Sequence, residues 1–253
     1  MVAGRPDLRH ERALLRAGAR VVVGMDEVGR GALAGPVTVG AVAVDLGTRS
    51  CPQGTADSKL LTPAARQRLL PALRRWGLAR GVGHASPAEI DSLGIIAALR
   101  LAGQRALAEV AASGLHVDLV LLDGSHDWLS APAQGDLFEE ETPTGPHLVG
   151  ADLRTSGRLV AVRTRVKADR TCASVAAASV LAKCTRDALM VELHAEHPQF
   201  GWAENKGYGA PEHNEALRRV GTTAHHRRTW RLPGTPPDGP GTDRAASWSM
   251  MDA

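Results

Sequence analysis

The chain has 253 residues, 43% of them apolar, enough for one large domain that buries its own core without covalent staples. With 30 Lys and Arg against 27 Asp and Glu, the formal net charge is +3, which permits a phosphate-rich partner without arguing for one. Three cysteines with no CxxC spacing argue against a disulfide framework and a structural zinc site.

No run of about 18 apolar residues is present, so no membrane span is expected. The N-terminal MVAGRPDLRHERALLRAG is charged and lacks an apolar h-region, which argues against a signal peptide and makes the cytoplasm the default location.

Residues 1–18 read as a flexible N-terminal arm or a short helix. Residues 20–28 and 37–44 are β-rich runs separated by a Gly/Pro stretch, the pattern of a hairpin. Residues 62–76 predict a helix with Thr62 as N-cap and Pro63 at its first position, kinked or divided at Pro71. LARGVGHAS follows as a third strand, and the apolar spacing predicts one long helix over 87–113. VDLVLLDG (117–124) is a short buried strand ending in an acid. Residues 125–157, rich in Gly, Pro, Ser and acid, read as a surface insertion. LVAVRTRVKAD (159–169) predicts another strand and 174–197 a second strong helix. A small helical region over 198–232 carries a helix at 211–220, and residues 233–253 read as a disordered tail. Hairpin strands followed by strands alternating with helices indicate a mixed α/β domain around a central sheet, over 19–197.

Acids recur at the ends of the strand-like runs. Asp26 and Glu27 follow VVVGM, Asp123 follows VDLVLL, and Asp169 follows LVAVRTRVKA. A carboxylate there is costly unless it is paired or binds a cation. One such acid is most often a capping or turn residue; three such ends on one sheet favour a hard divalent cation with oxygen ligands. Two such ions can activate a water and stabilise a leaving oxygen at a phosphodiester. Adjacent strand residues face opposite sides, so Asp26 and Glu27 meet one ion only through a bend, a bulge or an intervening water. Gly29-Arg30-Gly31 alone is a weak signal that a surface turn explains better. Directly after two acids, it suggests a phosphate-bearing substrate beside the cation.

MDEVGRGALAGPV resembles the N-terminal signature of type 2 ribonuclease H, in particular the bacterial ribonuclease HII family. DSKLLTPAARQRL (57–69), LLDG (121–124), KADRTCASVAAASVLAKCTRD (167–187), GYGAPEHNEAL (207–217) and HHRRTW (225–230) resemble further motifs of that family, in its order, over about residues 20–231. The resemblance implies an RNase H-like mixed sheet flanked by helices, with a small helical C-terminal region. It implies an endonuclease that cuts the RNA strand of RNA–DNA hybrids and incises 5′ of single ribonucleotides in duplex DNA. The expected chemistry is two-metal-ion hydrolysis with Mg²⁺ or Mn²⁺, leaving a 3′-hydroxyl and a 5′-phosphate.

By motif match, Asp26, Glu27, Asp123 and Asp169 are the catalytic metal-binding acids. Gly29, Arg30 and Gly31 sense the ribose 2′-OH, Lys59 contacts phosphate, and Tyr208 stacks on the neighbouring nucleotide. The 2′-OH separates RNA from DNA, and an aromatic between Gly207 and Gly209 suits stacking. Expected partners are RNA–DNA hybrid and ribonucleotide-containing duplex, with no membrane; the protein is expected to be a monomer by family analogy, and a replication-clamp contact is left open. Two departures stand out. Ala32 occupies a position where relatives often carry proline, which would loosen the loop. The interval from Asp123 to Asp169 is long, which makes Asp152 the fallback fourth acid. Asp187 reads as a solvated helix acid or ion-pair partner, and Asp57 as a cap of the DSK loop. A resolvase on the same fold would not be expected to combine GRG with a downstream GYG. A non-catalytic hybrid binder would lack a carboxylate, and all four are present.

Overall fold

The computed structural model describes residues 5–130, 154–155 and 158–234. Its strands are β1 (Val22–Val28), β2 (Val37–Val44), β3 (Ala79–Ala85), β4 (Leu119–Asp123), β5 (Arg154–Thr155), β6 (Arg158–Leu159) and β7 (Ala161–Arg165). Five form one sheet in the order β3-β2-β1-β4-β7, and β5 pairs with β6 in a separate short ribbon. β1–β2 and β2–β3 are antiparallel; β1–β4 and β4–β7 are parallel. This is the mixed α/β arrangement that the alternation of strands and helices predicted.

The helices are α1 (Arg9–Arg16), α2 (Pro63–Leu73), α3 (Pro87–Leu93), α4 (Ile95–Ala111), α5 (Ala168–Thr171), α6 (Ala173–Glu196), α7 (Trp202–Asn205) and α8 (Pro211–Val220). β1 and β2 are apolar on both faces because both faces are covered. Val23, Met25, Val39, Ala41 and Ala43 share a core with α4, whereas Val22, Val42, Val44, Leu119 and Leu121 share one with α6. Glycine admits each helix. A Cβ on Gly40 would lie 2.3 Å from the carbonyl oxygen of Ala178 in α6, and one on Gly83 would lie 2.0 Å from that of Ala102 in α4. No helix among the described residues is long and apolar enough to cross a membrane.

Four expectations need correction. The single helix over 87–113 is two, because Gly94 takes φ 76°, ending α3 and starting α4. Pro71 does not divide α2, since it falls in the last turn and costs little of the remaining hydrogen-bond ladder. The N-terminal arm is not loose over its second half. Residues 9–16 form α1, and the buried carboxylate of Glu11 accepts from the backbone N–H and hydroxyl of Ser174, both at 2.8 Å. That carboxylate supplies the N-terminal cap that α6 lacks from its own Cys172. The insertion begins inside the core: Trp128 and Leu129 are buried against α4 at Gly103. The rest of the insertion over 131–153, and the tail from residue 235, lie outside the described residues.

Candidate active site

The acids assemble where two strands part. The last parallel pair between β1 and β4 is Met25–Leu122, and Asp26 and Asp123 are the next residue on each strand. Strand alternation puts both on the face that α6 covers. The strand expected over 159–169 ends at Arg165, after which Lys167 takes a left-handed conformation (φ 58°) and α5 begins. Asp169 therefore sits in the first turn of a short helix. It reaches the same place because Asp123 Oδ1 accepts the backbone N–H of Ala168 at 2.7 Å and of Asp169 at 3.4 Å.

No bulge reorients Glu27. The β1–β2 register is regular from Val22 to Val28, so Asp26 and Glu27 start from opposite faces. Asp26 turns back on its own chain, accepting the Glu27 N–H at 2.9 Å. The Glu27 carboxylate lies 4.0 Å from Arg30 and is still close enough to Asp123 and Lys59 to feel their charges.

The carboxyls of Asp26, Glu27 and Asp169 resist ionising. Burial pushes Asp26 up to about 8, reinforced by Glu27 and Asp123 and opposed by a hydrogen bond with Ser179. Burial raises Asp169 to about 6, with Asp123 and Asp57 adding to it. Burial raises Glu27 too, against the pull of Arg30. Burial works against the Lys59 ammonium, yet Asp26, Asp57, Asp169 and Asp123 together hold its pKa above the ordinary value. Crowded oxygen ligands that favour extra positive charge fit a hard divalent cation.

Only part of the support for this cluster is legible in the sequence. Asp57 caps the 3₁₀ turn Ser58–Leu60 by accepting the Lys59 N–H at 2.9 Å, as expected of a cap. It is also buried and lies 3.5 Å from Arg170. The Ser179 hydroxyl donates to that of Ser58 at 2.8 Å, tying α6 to the Lys59 turn. Nothing in the spacing of two serines 121 residues apart signals that contact.

The loop that follows β1 is held by buried cations. The Arg227 guanidinium, fully buried, donates to the carbonyls of Gly29 (2.5 Å), Arg30 (2.7 Å) and Gly35 (3.2 Å). Arg186, equally buried, donates to Pro36 (2.8 Å), Lys206 (2.9 Å) and Ala34 (3.1 Å). Ala32 does not loosen the loop: its N–H donates to the Gly29 carbonyl at 3.2 Å, a bond that proline could not make. The N–H groups of Leu33 and Ala34 both donate to the Gly207 carbonyl, which joins this loop to the Tyr208 loop.

Gly29 has φ 85°, and a Cβ there would lie 2.1 Å from Arg186 Nε. Gly31 is different, with open space where its Cβ would be. Tyr208 is 37% exposed, so it is no core tyrosine. Arg30 and Lys59 are also exposed.

Asp187 pairs with Lys183 at 2.7 Å and Arg66 at 3.8 Å, the expected ion-pair role. His226 is buried and structural, and His225 is half-buried. Cys172 and Cys184 are buried thiols and Cys51 is half-buried. Asp152 lies outside the described residues.

A family model described as Ribonuclease HII matches residues 23–232. The chain is 43% identical over 239 residues to the Ribonuclease HII of Streptomyces coelicolor, covering 94% of this chain and 89% of that protein. Among solved structures, it resembles the ribonuclease H2 of Pyrococcus horikoshii OT3 (TM-score 0.53, 25% identity), covering 83% of this chain and 94% of that one. It shares its fold with Bst-RNase HIII in complex with Mn²⁺ (TM-score 0.55, 21% identity), covering 80% of this chain and 62% of that one.

Proposed function

The chain belongs to the ribonuclease HII family, endoribonucleases of the ribonuclease H type that act on RNA–DNA hybrids, and on that premise we propose how its site works. Asp26, Glu27, Asp123 and Asp169 hold Mg²⁺ or Mn²⁺, two ions when substrate is bound. The protein cleaves the RNA strand of hybrids and incises 5′ of a lone ribonucleotide in duplex DNA, leaving a 3′-hydroxyl and a 5′-phosphate. The observation that carries this reading is the convergence of Asp26, Asp123 and Asp169 on one face at the β1–β4 fork, within the field of Glu27 and Lys59. The Bst-RNase HIII structure that shares this fold is a Mn²⁺ complex, which agrees with the choice of ion.

Bound divalent ions would supply an activated water and charge stabilisation at the leaving oxygen. The chain's own residues do the rest. Asp123 orients Asp169 through the α5 N–H groups it accepts. Lys59, exposed and facing the acids, takes a phosphate oxygen of the substrate. Gly31 leaves the backbone open for a ribose 2′-OH, which both donates and accepts. Tyr208 stacks on the next nucleotide, in a loop bonded to the 29–36 segment through Gly207.

The test is a duplex with one embedded ribonucleotide, labelled on that strand and incubated in Mg²⁺, in Mn²⁺ and in EDTA. The expected result is a single cut 5′ of the ribonucleotide, absent in EDTA. In Asp123→Asn, activity should fall by more than the roughly 100-fold typical of losing an outer-shell partner. Cleavage of a long hybrid alone would remove the junction-reading role of Gly29, Arg30 and Gly31. Binding without cleavage of either substrate would remove the metal-site reading.

A further inference from the structure

Four histidines pack around Trp202, and they divide into two pairs. His213 and His226 have their nitrogens fully engaged. The Thr223 N–H donates to His226 Nδ1 at 3.0 Å, which leaves the proton of the neutral ring on Nε2, facing His213 Nε2 at 3.1 Å. His213 Nε2 also accepts from Trp202 Nε1 at 3.2 Å, so its own proton sits on Nδ1 and is donated to the Tyr208 carbonyl at 2.8 Å.

His197 and His225 are different. Their rings are fixed by packing, 5.4 Å apart between centroids and each edge-on to Trp202. Yet among the described residues their ring nitrogens make no hydrogen bond or ion pair, and neither does the carboxylate of Glu196. These three side chains bring one ligand atom each to within 4.8 Å of one another. Glu196 is the last residue of α6, 24 residues long, whose C-terminal carbonyls favour a cation.

We infer that Glu196, His197 and His225 form a second metal site, for a borderline transition metal of the Zn²⁺ class, separate from the acid cluster. Two imidazoles and one carboxylate suit Zn²⁺, Co²⁺ or Ni²⁺ and are poor ligands for Mg²⁺. Tetrahedral Zn²⁺ needs ligand atoms about 3.4 Å apart, so the three must close by about 1.4 Å at most, a movement shared between the exposed Glu196 side chain and the two half-buried imidazoles. Water fills the fourth position. The ion clasps the end of α6 to the 223–230 segment, where His226, through His213, supports the Tyr208 loop and Arg227 holds the 29–36 loop. Its role is to brace that segment, independent of the hydrolytic ions.

The test uses the full-length protein, stripped of metal, with excess Mg²⁺ present to fill the oxygen-only cluster. Co²⁺ is the probe, because nitrogen-ligated tetrahedral Co²⁺ absorbs visibly far more strongly than octahedral oxygen-ligated Co²⁺. The expected result is uptake of one equivalent with the intense tetrahedral spectrum, displaced by Zn²⁺, and a rise in Tm on Zn²⁺ addition. His225→Ala and Glu196→Gln should each lose affinity by about 10-fold or more, while His116→Ala, a change at an exposed histidine elsewhere, should not. Both site variants should keep Mg²⁺-dependent hybrid cleavage. Should His225→Ala fail to fold, Glu196→Gln, at an exposed position, decides the matter alone. Absence of the tetrahedral spectrum, or the same affinity in Glu196→Gln as in the wild type, overturns the site.

Discussion

Arg227 Nη2 donates to the carbonyl oxygen of Gly29 at 2.5 Å, joining the C-terminal segment to the loop after β1 across 198 residues of sequence. The same guanidinium stacks over Trp230 at 4.6 Å, and the residues between are pinned by Asp91, which accepts the N–H groups of Arg228 and Thr229. The 29–36 loop thus takes its shape from a cation with no carboxylate partner, every bond going to a backbone carbonyl.

This arrangement predicts a specific loss in Arg227→Lys. An ammonium cannot reproduce the planar fork, so the loop carbonyls shift. A misplacement of about 1 Å costs on the order of 100-fold when it lies at the reading position. Incision at a single ribonucleotide should therefore fall by about that factor, with Mn²⁺ affinity unchanged. Single-turnover kinetics alongside a Mn²⁺ titration check it; equal losses in both would point to general unfolding instead.

The His226–His213 pair predicts a pH dependence of stability. Burial lowers His226 to about 4, with the neighbouring histidines contributing, against an ordinary value of 6.5. Between those values the unfolded chain binds the proton and the folded chain does not. Stability from this group therefore rises with pH across the window and is lost as pH falls through it. The raised carboxyls of Asp26 and Asp169 act with the opposite sign, since the folded chain holds their protons longer. Urea midpoints measured at several pH values should show a shallower acid-side loss in His226→Gln than in the wild type. Identical slopes would contradict the assignment.

Gly40→Ala should destabilise the fold. A Cβ there would lie 2.3 Å from the Ala178 carbonyl oxygen, which is backbone and cannot swing away. Overpacking of this kind costs about 1–3 kcal/mol or more. The displaced α6 would also carry Ser179 away from Asp26, so Mg²⁺-dependent cleavage should fall along with Tm. A variant as stable and as active as the wild type would show that α6 does not rest on this slot.

Much of this was legible in the sequence where burial is periodic. β1, β2, β3, α6 and the α8 span Pro211–Val220 follow their apolar patterns, and Thr62 caps α2 as its position implied. What failed depended on contacts distant in the chain. Glu11 looks like a solvated acid in a polar arm until Ser174 is placed beside it. Arg186 and Arg227 look like surface cations, because their partners are carbonyls that only the folded loop gathers. Asp169 meets Asp123 from a short helix and not from the expected strand, since the left-handed turn at Lys167 carries no sequence signature.

The most direct test of the account is calorimetric titration of the metal-free protein with Mn²⁺ at neutral pH, in two buffers of different ionisation enthalpy. Asp26, held near 8 by burial and by its acidic neighbours, carries a proton that a bound cation must displace. Net proton release is expected on Mn²⁺ binding by the wild type. Weaker binding, with that release diminished, is expected in Asp26→Asn. Mn²⁺ binding of the same affinity and proton release in both proteins would contradict the placement of the metal at the β1–β4 fork.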